Sequence, residues 1–254
     1  MRWRSDTPQQ LIPAGLRRAA LALIAVSAAI TVVLGALFWH HTTGSALDNW
    51  VERHVQTGNG FGPGGGGHRG VRLLLMPFGM LGNTPLLGLG TAFLVYCCLG
   101  LRRYRGAIML GASVIISSAL SEEILKPIVE RTRYGSLSYP SGHATAAFAL
   151  AAAIIVLLVR PPGTRMPVSM RVVLGSLTAL AACSIAVGLT GIHYFTDTIG
   201  GAGVGIAVTL AIALLLDRFD VVSSPPGELA AAELAQSSEE PQSSQEPQSA
   251  AVVS

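Results

Sequence analysis

The sequence predicts an all-α fold, a polytopic membrane bundle with about six transmembrane helices, and three observations predict it. Half of the residues are hydrophobic and 12% are charged, for a mean hydropathy of +0.53; that is far more apolar side chain than a soluble domain needs. Several apolar windows reach the roughly 20 residues that a helix needs to cross a hydrocarbon core about 30 Å thick. Between these windows the arginines collect in short polar segments. The net charge of +3 therefore reads as topology, with no nucleic acid implied as a partner. Cys97, Cys98 and Cys183 all lie inside apolar segments and read as small core hydrophobes, in neither a disulfide framework nor a metal spacing.

Taken in order, residues 1–18 are polar and carry Arg2, Arg4, Arg17 and Arg18. The apolar run 19–39 is too long for a signal-peptide core and lacks a convincing cleavage site, which predicts a retained first span. Residues 40–72 hold Gly58, Gly60, Gly62 and Gly64–Gly67. No Lys-Ser or Lys-Thr follows these glycines, so the segment reads as a flexible, exposed extracytoplasmic loop and not as a P-loop. Residues 73–84 are apolar but broken by Pro77, Gly79 and Gly82, which predicts an interfacial or tilted helix. Further spans follow at about 85–101, 107–125, 143–159, 172–190 and 196–216, for a membrane domain of 19–220. Residues 221–254 are polar and of low complexity, and read as a disordered cytoplasmic tail.

Six spans put both termini on one side. The arginine-rich segments at the N-terminus, at 102–105, at 160–171 and at Arg218 fall there too, which makes that side cytoplasmic. Lys126, Arg131 and Arg133, with Arg53, Arg69 and Arg72, fall on the opposite side. Cations on the outward face need another reason, and an anionic ligand would supply one.

Two polar clusters carry candidate chemistry. Pro140-Ser141-Gly142-His143 stands directly before an apolar helical segment. A helix starting there leaves backbone N–H groups facing the loop, with Ser141 as a capping residue, and such an end can cradle a phosphate oxygen. Lys126, Arg131 and Arg133 add positive charge, and an arginine offers two parallel donors to a phosphate. Interfacial cations reaching lipid headgroups beside a capped helix are the plainer reading. His193 and Asp197 are four residues apart, on one helix face. A carboxylate bonded to one imidazole nitrogen leaves the other free to attack. The plainer reading here is an aromatic belt with Tyr194 and Phe195. Glu122 lies four residues before Lys126, a spacing that predicts an ion pair positioning the lysine.

Lys126 with Arg133 seven positions on, then Pro140-Ser141-Gly142-His143, then His193 with Asp197 resembles the three-motif signature of the type-2 phosphatidic acid phosphatase superfamily. That superfamily also includes the vanadium haloperoxidases. The resemblance implies that His193 is the nucleophile that forms a phosphohistidine, that Asp197 orients it, and that His143 protonates the departing oxygen. It also implies that Lys126, Arg133, Ser141 and the Gly142 N–H hold the phosphoryl oxygens. The substrate would be a lipid phosphate or diphosphate, of the polyprenyl diphosphate or phosphatidate kind, taken from among the membrane lipids. No cofactor and no metal is implied for the phosphatase members, and the sequence offers no obvious metal cage. Oligomeric state is not legible.

The chain departs from the family pattern twice. Tyr134 follows Arg133 where the first motif ends in proline, which bears on loop shape. Ala186 and Val187 stand where the third motif carries Ser-Arg, unless Gly188–His193 is a version shortened by about one helical turn. Either way an arginine is missing, and losing one transition-state donor costs on the order of 10² to 10³ in rate. Arg131, in the same loop, is the candidate replacement. Two other readings compete with a phosphatase: a lipid-phosphate binder that has lost turnover with that arginine, and a small transporter. Charges clustered at one face argue against transport, and dominant apolar spans argue against a haloperoxidase.

Overall fold

The computed structural model of the protein describes residues 10–55, 84–159 and 166–223. A short 3-10 turn, Ala14–Leu16, leads into α1 (Arg17–Leu37). Next come α2 (Ala46–Val55), α3 (Thr84–Gly100) and α4 (Tyr104–Ala119). Helix α4 runs through a π-helical turn, Leu120–Leu125, into the short α5 (Lys126–Val129). A two-stranded hairpin follows, β1 (Thr132–Arg133) antiparallel to β2 (Ser136–Leu137). Helices α6 (Gly142–Val159), α7 (Val168–Gly188) and α8 (Phe195–Ser223) complete the described chain. Five helical stretches are long and apolar enough to cross a membrane, and α3 is a shorter apolar helix. Together they match the six expected spans to within a few residues, and the protein is an all-α membrane bundle.

The chain forms two compact units, Met1–Asp217 and Arg218–Ser254. The bundle and the candidate site lie in the first. Of the second, the described residues are the end of α8.

Lipid tails are as apolar as leucine, so nothing drives helices together by apolar burial alone; close packing and hydrogen bonds do. The helices accordingly turn small and hydroxylated residues inward. Helix α1 buries Ala20, Ser27, Thr31 and Gly35. Ser113 and Ser117 of α4 and Ser121 of the π turn, four residues apart, have no exposure at all. Outward stand Leu21, Val32, Ile115, Leu177 and Leu180. Within the bundle α4 packs against α3 and α6, and α6 packs against α7. An apolar cluster joins Met109, Leu110, Ala153, Val156 and Leu210.

Helix α8 meets its neighbours through glycines. A Cβ added at Gly201 would lie 2.5 Å from the Ser141 carbonyl oxygen, and one at Gly205 would lie 2.5 Å from that of Thr145. Four residues apart, the two share one face of α8 and let its backbone touch that of α6. Thr209 Oγ1 donates to the Ala149 carbonyl of α6 at 3.2 Å, and Thr31 Oγ1 of α1 donates to the Gly200 carbonyl at 3.2 Å. This contact seats the start of α6 against the first turns of α8. At the other end, the N–H groups of Leu11 and Ile12 donate to the buried Asp217 carboxylate at 2.7 and 2.8 Å.

Two expectations change. Residues 40–72 do not read through as a flexible loop, because α2 forms inside them; residues 56–72, with the glycine run, and 73–83 lie outside the described residues. The tail expected to be disordered from 221 begins with three helical residues of α8, and residues 224–254 lie outside the description, as do 1–9 and 160–165. If backbone contact sets the α6–α8 spacing, Gly201→Ala should destabilise the protein by about 1–3 kcal/mol through overpacking. Gly88→Ala, where nothing lies within 4 Å, should not; thermal unfolding in detergent compares the two.

Candidate active site

The first motif is held where α4 ends. The π turn Leu120–Leu125 ends two residues before Pro127, whose ring crowds the carbonyl four residues back and offers it no N–H. The turn carries Glu122, and Lys126 Nζ donates to both of its carboxylate oxygens, at 2.8 and 2.6 Å. The expected i, i+4 pair is therefore formed. The Glu122 carboxylate also lies against Gly142, where it would meet an added Cβ, so it occupies the positive end of α6. Glu130, with φ of 50°, ends α5, and the chain enters the hairpin.

The hairpin turn explains one departure from the family pattern. Tyr134 and Gly135 have φ of 52° and 80°, the positive values that a two-residue type I′ turn requires at both positions. Proline locks φ near −65°, so the family's Arg-Pro is incompatible with this turn. Tyrosine takes the strain, and Arg133 keeps its register opposite Ser136.

Arg131, like Asp197, has no solvent exposure. Its Nη1 donates to Asp197 Oδ1 and to Thr196 Oγ1, each at 2.6 Å, and its Nη2 donates to Asp48 Oδ2 at 2.8 Å. The guanidinium is sandwiched between Phe38, 3.9 Å from the ring centre, and Tyr194, at 4.3 Å. Asp48 comes from α2, which begins with a capping box: the Asp48 N–H donates to Ser45 Oγ at 3.1 Å, and the Ser45 N–H donates back to Asp48 Oδ2 at 2.9 Å. Asp48 also accepts from the Thr196 N–H at 2.8 Å. Burial pushes the Asp48 carboxyl up, but these donors and Arg131 outweigh it and hold the group below its ordinary value.

Arg133 is placed differently. Its Nη2 donates to Glu52 Oε1 at 3.0 Å, and Tyr194 lies 4.4 Å from its guanidinium carbon. Asp48 and Glu52 are one turn apart on α2, so a single helix supplies an acid to each arginine of the loop.

The two histidines meet. The rings of His143, in the first turn of α6, and His193, before α8, lie 5.7 Å apart and inclined at 52°. Burial first, then His143, Lys126 and Arg133, push the His193 imidazole down to about 3. The Ser138 main chain pulls weakly the other way without closing a hydrogen bond to Nδ1, which is buried and without a partner among the described residues. At neutral pH His193 is therefore uncharged. Ser141 is fully buried, and its Oγ accepts from the Ala144 N–H at 3.4 Å, the capping role expected of it.

The structure thus brings together Lys126, Arg133, Ser141, Gly142, His143 and His193. Two expected contacts differ. Asp197 does not bond to His193; its Oδ1 faces Arg131, and its Oδ2 accepts from the Tyr194 N–H at 3.1 Å. Both Nη atoms of Arg131, the candidate replacement for the arginine missing at Val187, are taken by Asp48, Asp197 and Thr196 in a fully buried setting. Tyr194 lies against Arg131 and Arg133, not in an aromatic belt. Sequence reasoning missed Phe38, Asp48, Glu52 and Thr196. The Ser45-Ala-Leu-Asp48 capping box was the legible sign of α2.

Removing one partner from a buried ion pair costs about 3–5 kcal/mol, so Arg131→Ala should lower stability by that order, whereas Arg133→Ala should cost far less; thermal unfolding of both variants checks this. The His193 shift has a defined sign. Its folded value lies below the unfolded value near 6.5, so the unfolded chain binds the extra proton between those limits, and stability falls as pH drops from about 6.5 towards 3. Between pH 7 and 5 the residue should cost the fold about 2 kcal/mol, and His193→Asn should remove that part of the acid sensitivity in chemical unfolding curves.

Residues 126–220 match the family model described as the PAP2 superfamily. No curated protein and no solved structure matches the chain. The match begins at Lys126 and spans the loop, both histidines and α8, and it supports a phosphatase-type activity. Over that segment the chain is similar to the PAP2 superfamily, consistent with the type-2 phosphatidic acid phosphatase superfamily.

Proposed function

We propose that this protein is an integral-membrane phosphatase that removes phosphate from a lipid phosphate or lipid diphosphate at the extracytoplasmic face, through a phosphohistidine. The observation that carries the reading is an uncharged, buried His193 set 5.7 Å from His143, with Lys126 and Arg133 near enough to depress its proton affinity. A neutral imidazole has the lone pair that a nucleophile needs. Arg102, Arg103 and Arg105 lie at the start of α4, and Lys126 follows the π turn beyond its far end, so the cation-bearing site stands across the bundle from that basic turn. Under the positive-inside rule this favours an outward-facing site.

In this reading Lys126, Arg133, Ser141 and the Gly142 N–H hold the phosphoryl oxygens. His193 attacks phosphorus, the P–N bond forms as the P–O bond to the lipid breaks, and His143 gives the departing oxygen its proton. His143 then takes a proton from water, whose oxygen displaces His193 and releases phosphate. Asp197 acts at one remove, by fixing Arg131 and the Tyr194 backbone beside the nucleophile. The lipid tail stays in the bilayer.

One observation favours a second reading, a lipid-phosphate binder without turnover. The position of the third-motif arginine is Val187, and Arg131 is committed elsewhere. Phosphate release in detergent across a panel of lipid phosphates and diphosphates, with His193→Ala as control, separates the two. The phosphatase should release phosphate from at least one substrate and lose more than about 10³-fold in rate in the variant. Lipid binding with no release from any substrate would leave the binder.

A further inference from the structure

Each of the three cations between Lys126 and Arg133 already has a carboxylate beside it. Glu122 sits on Lys126, Glu52 on Arg133, and Asp48 and Asp197 on Arg131. These pairs are not equivalent. Asp48 is 1% exposed and accepts from Ser45, Thr196 and Arg131, so it is fixed. Glu52, one turn further along α2, is 28% exposed and makes a single contact at 3.0 Å. It takes only Nη2 of Arg133, and the Nε beside it on the guanidinium edge is buried with no partner among the described residues. That edge is the fork on which an arginine binds a phosphate bidentately. The pair opens onto a cleft of about 480 Å³ whose walls include Thr42, Asn49, Glu52, Arg133, Tyr134 and Tyr194.

We propose that Glu52 is a resident carboxylate that occupies half of the Arg133 fork at rest, gives way when a phosphate arrives, and thereby selects against highly charged anions. The proposal rests on the reading that Arg133 holds phosphate. Asp48 anchors α2, so Glu52 cannot leave the neighbourhood; it can only swing into the cleft. Its charge then remains within a few ångströms of the bound anion. The repulsion grows with the anion's charge, so a diphosphate is penalised more than a phosphate. A helix that precedes the family segment would in this way tune the substrate class of a site built within it.

Calorimetric titration of the full-length protein in detergent with inorganic phosphate and with inorganic pyrophosphate, at neutral pH, tests this. Phosphate should bind Glu52→Gln about fivefold or more tighter than wild type, by the interaction of unit charges about 4 Å apart near water. Pyrophosphate should gain more than phosphate, and Arg133→Ala should weaken both. Glu52→Asp, which keeps the charge but shortens the reach, should fall between wild type and Glu52→Gln, and it serves if the glutamine variant does not fold. Unchanged phosphate affinity in Glu52→Gln, with Arg133→Ala still weakening it, overturns the proposal and leaves the phosphate site standing. Equal gains for the two anions overturn the selection by charge. No binding of either anion to any variant overturns the underlying reading and the proposal with it.

Discussion

The site depends on a single buried guanidinium. Arg131 is fully buried, and it is held by two carboxylates, a threonine hydroxyl and two aromatic faces. Arg131 itself comes from the loop after α5, its polar partners come from α2 and from the start of α8, and Phe38 comes from the end of α1. Four parts of the bundle are thereby fixed to one point. The low dielectric of the interior makes each unmet charge expensive, so the arrangement is held as a unit or lost as a unit. His193 is set two residues before Phe195, the first residue of α8, and inherits its position from this cluster.

That division of labour changes how the basic island between Lys126 and His143 is understood. As a sequence it is three cations of equal standing. In the structure they separate by burial. Arg131 is interior and holds the frame, while Lys126 and Arg133 have acidic partners that are partly open to solvent. Arg131 lies just before the hairpin and meets Asp48, whereas Arg133 lies beside its turn and meets Glu52, one helical turn further along α2. A site with two available cations and two nearby acids is a weak general trap for anions, so discrimination between anions rests on local geometry more than on net positive charge.

Much of this was legible beforehand, and the limits have physical causes. The spans were readable because hydropathy over 20 residues is a strong signal. The Glu122–Lys126 pair and the Ser141 cap were readable because they are local, set by helix periodicity and by the start of α6. The partners of Arg131 and Asp197 were not, since they join residues 83 and 66 positions apart, and no periodicity encodes which carboxylate an arginine will find. Asp197 was expected to bond to His193 because the spacing allows it. Spacing does not reveal that a buried arginine lies on the other side of that carboxylate. Helix α2 was hidden by its neighbourhood, ten amphipathic residues ahead of a run of glycines.

The close contact between Asp48 and Thr196 spans 148 positions of chain, and this has a consequence in time. During synthesis α1 and α2 emerge early, whereas α8 is made almost last. Until α8 is in place, Asp48 lacks its threonine partner, and Arg131 lacks both Asp197 and the Tyr194 face. A chain that stops short of α8 therefore carries strong charges at a membrane boundary with half of their partners absent, a state that is costly and conspicuous to cellular quality control. Ordering of the histidine pair is in this sense the closing event of assembly. The two histidine rings can meet only when α8, the last of the described helices, has arrived.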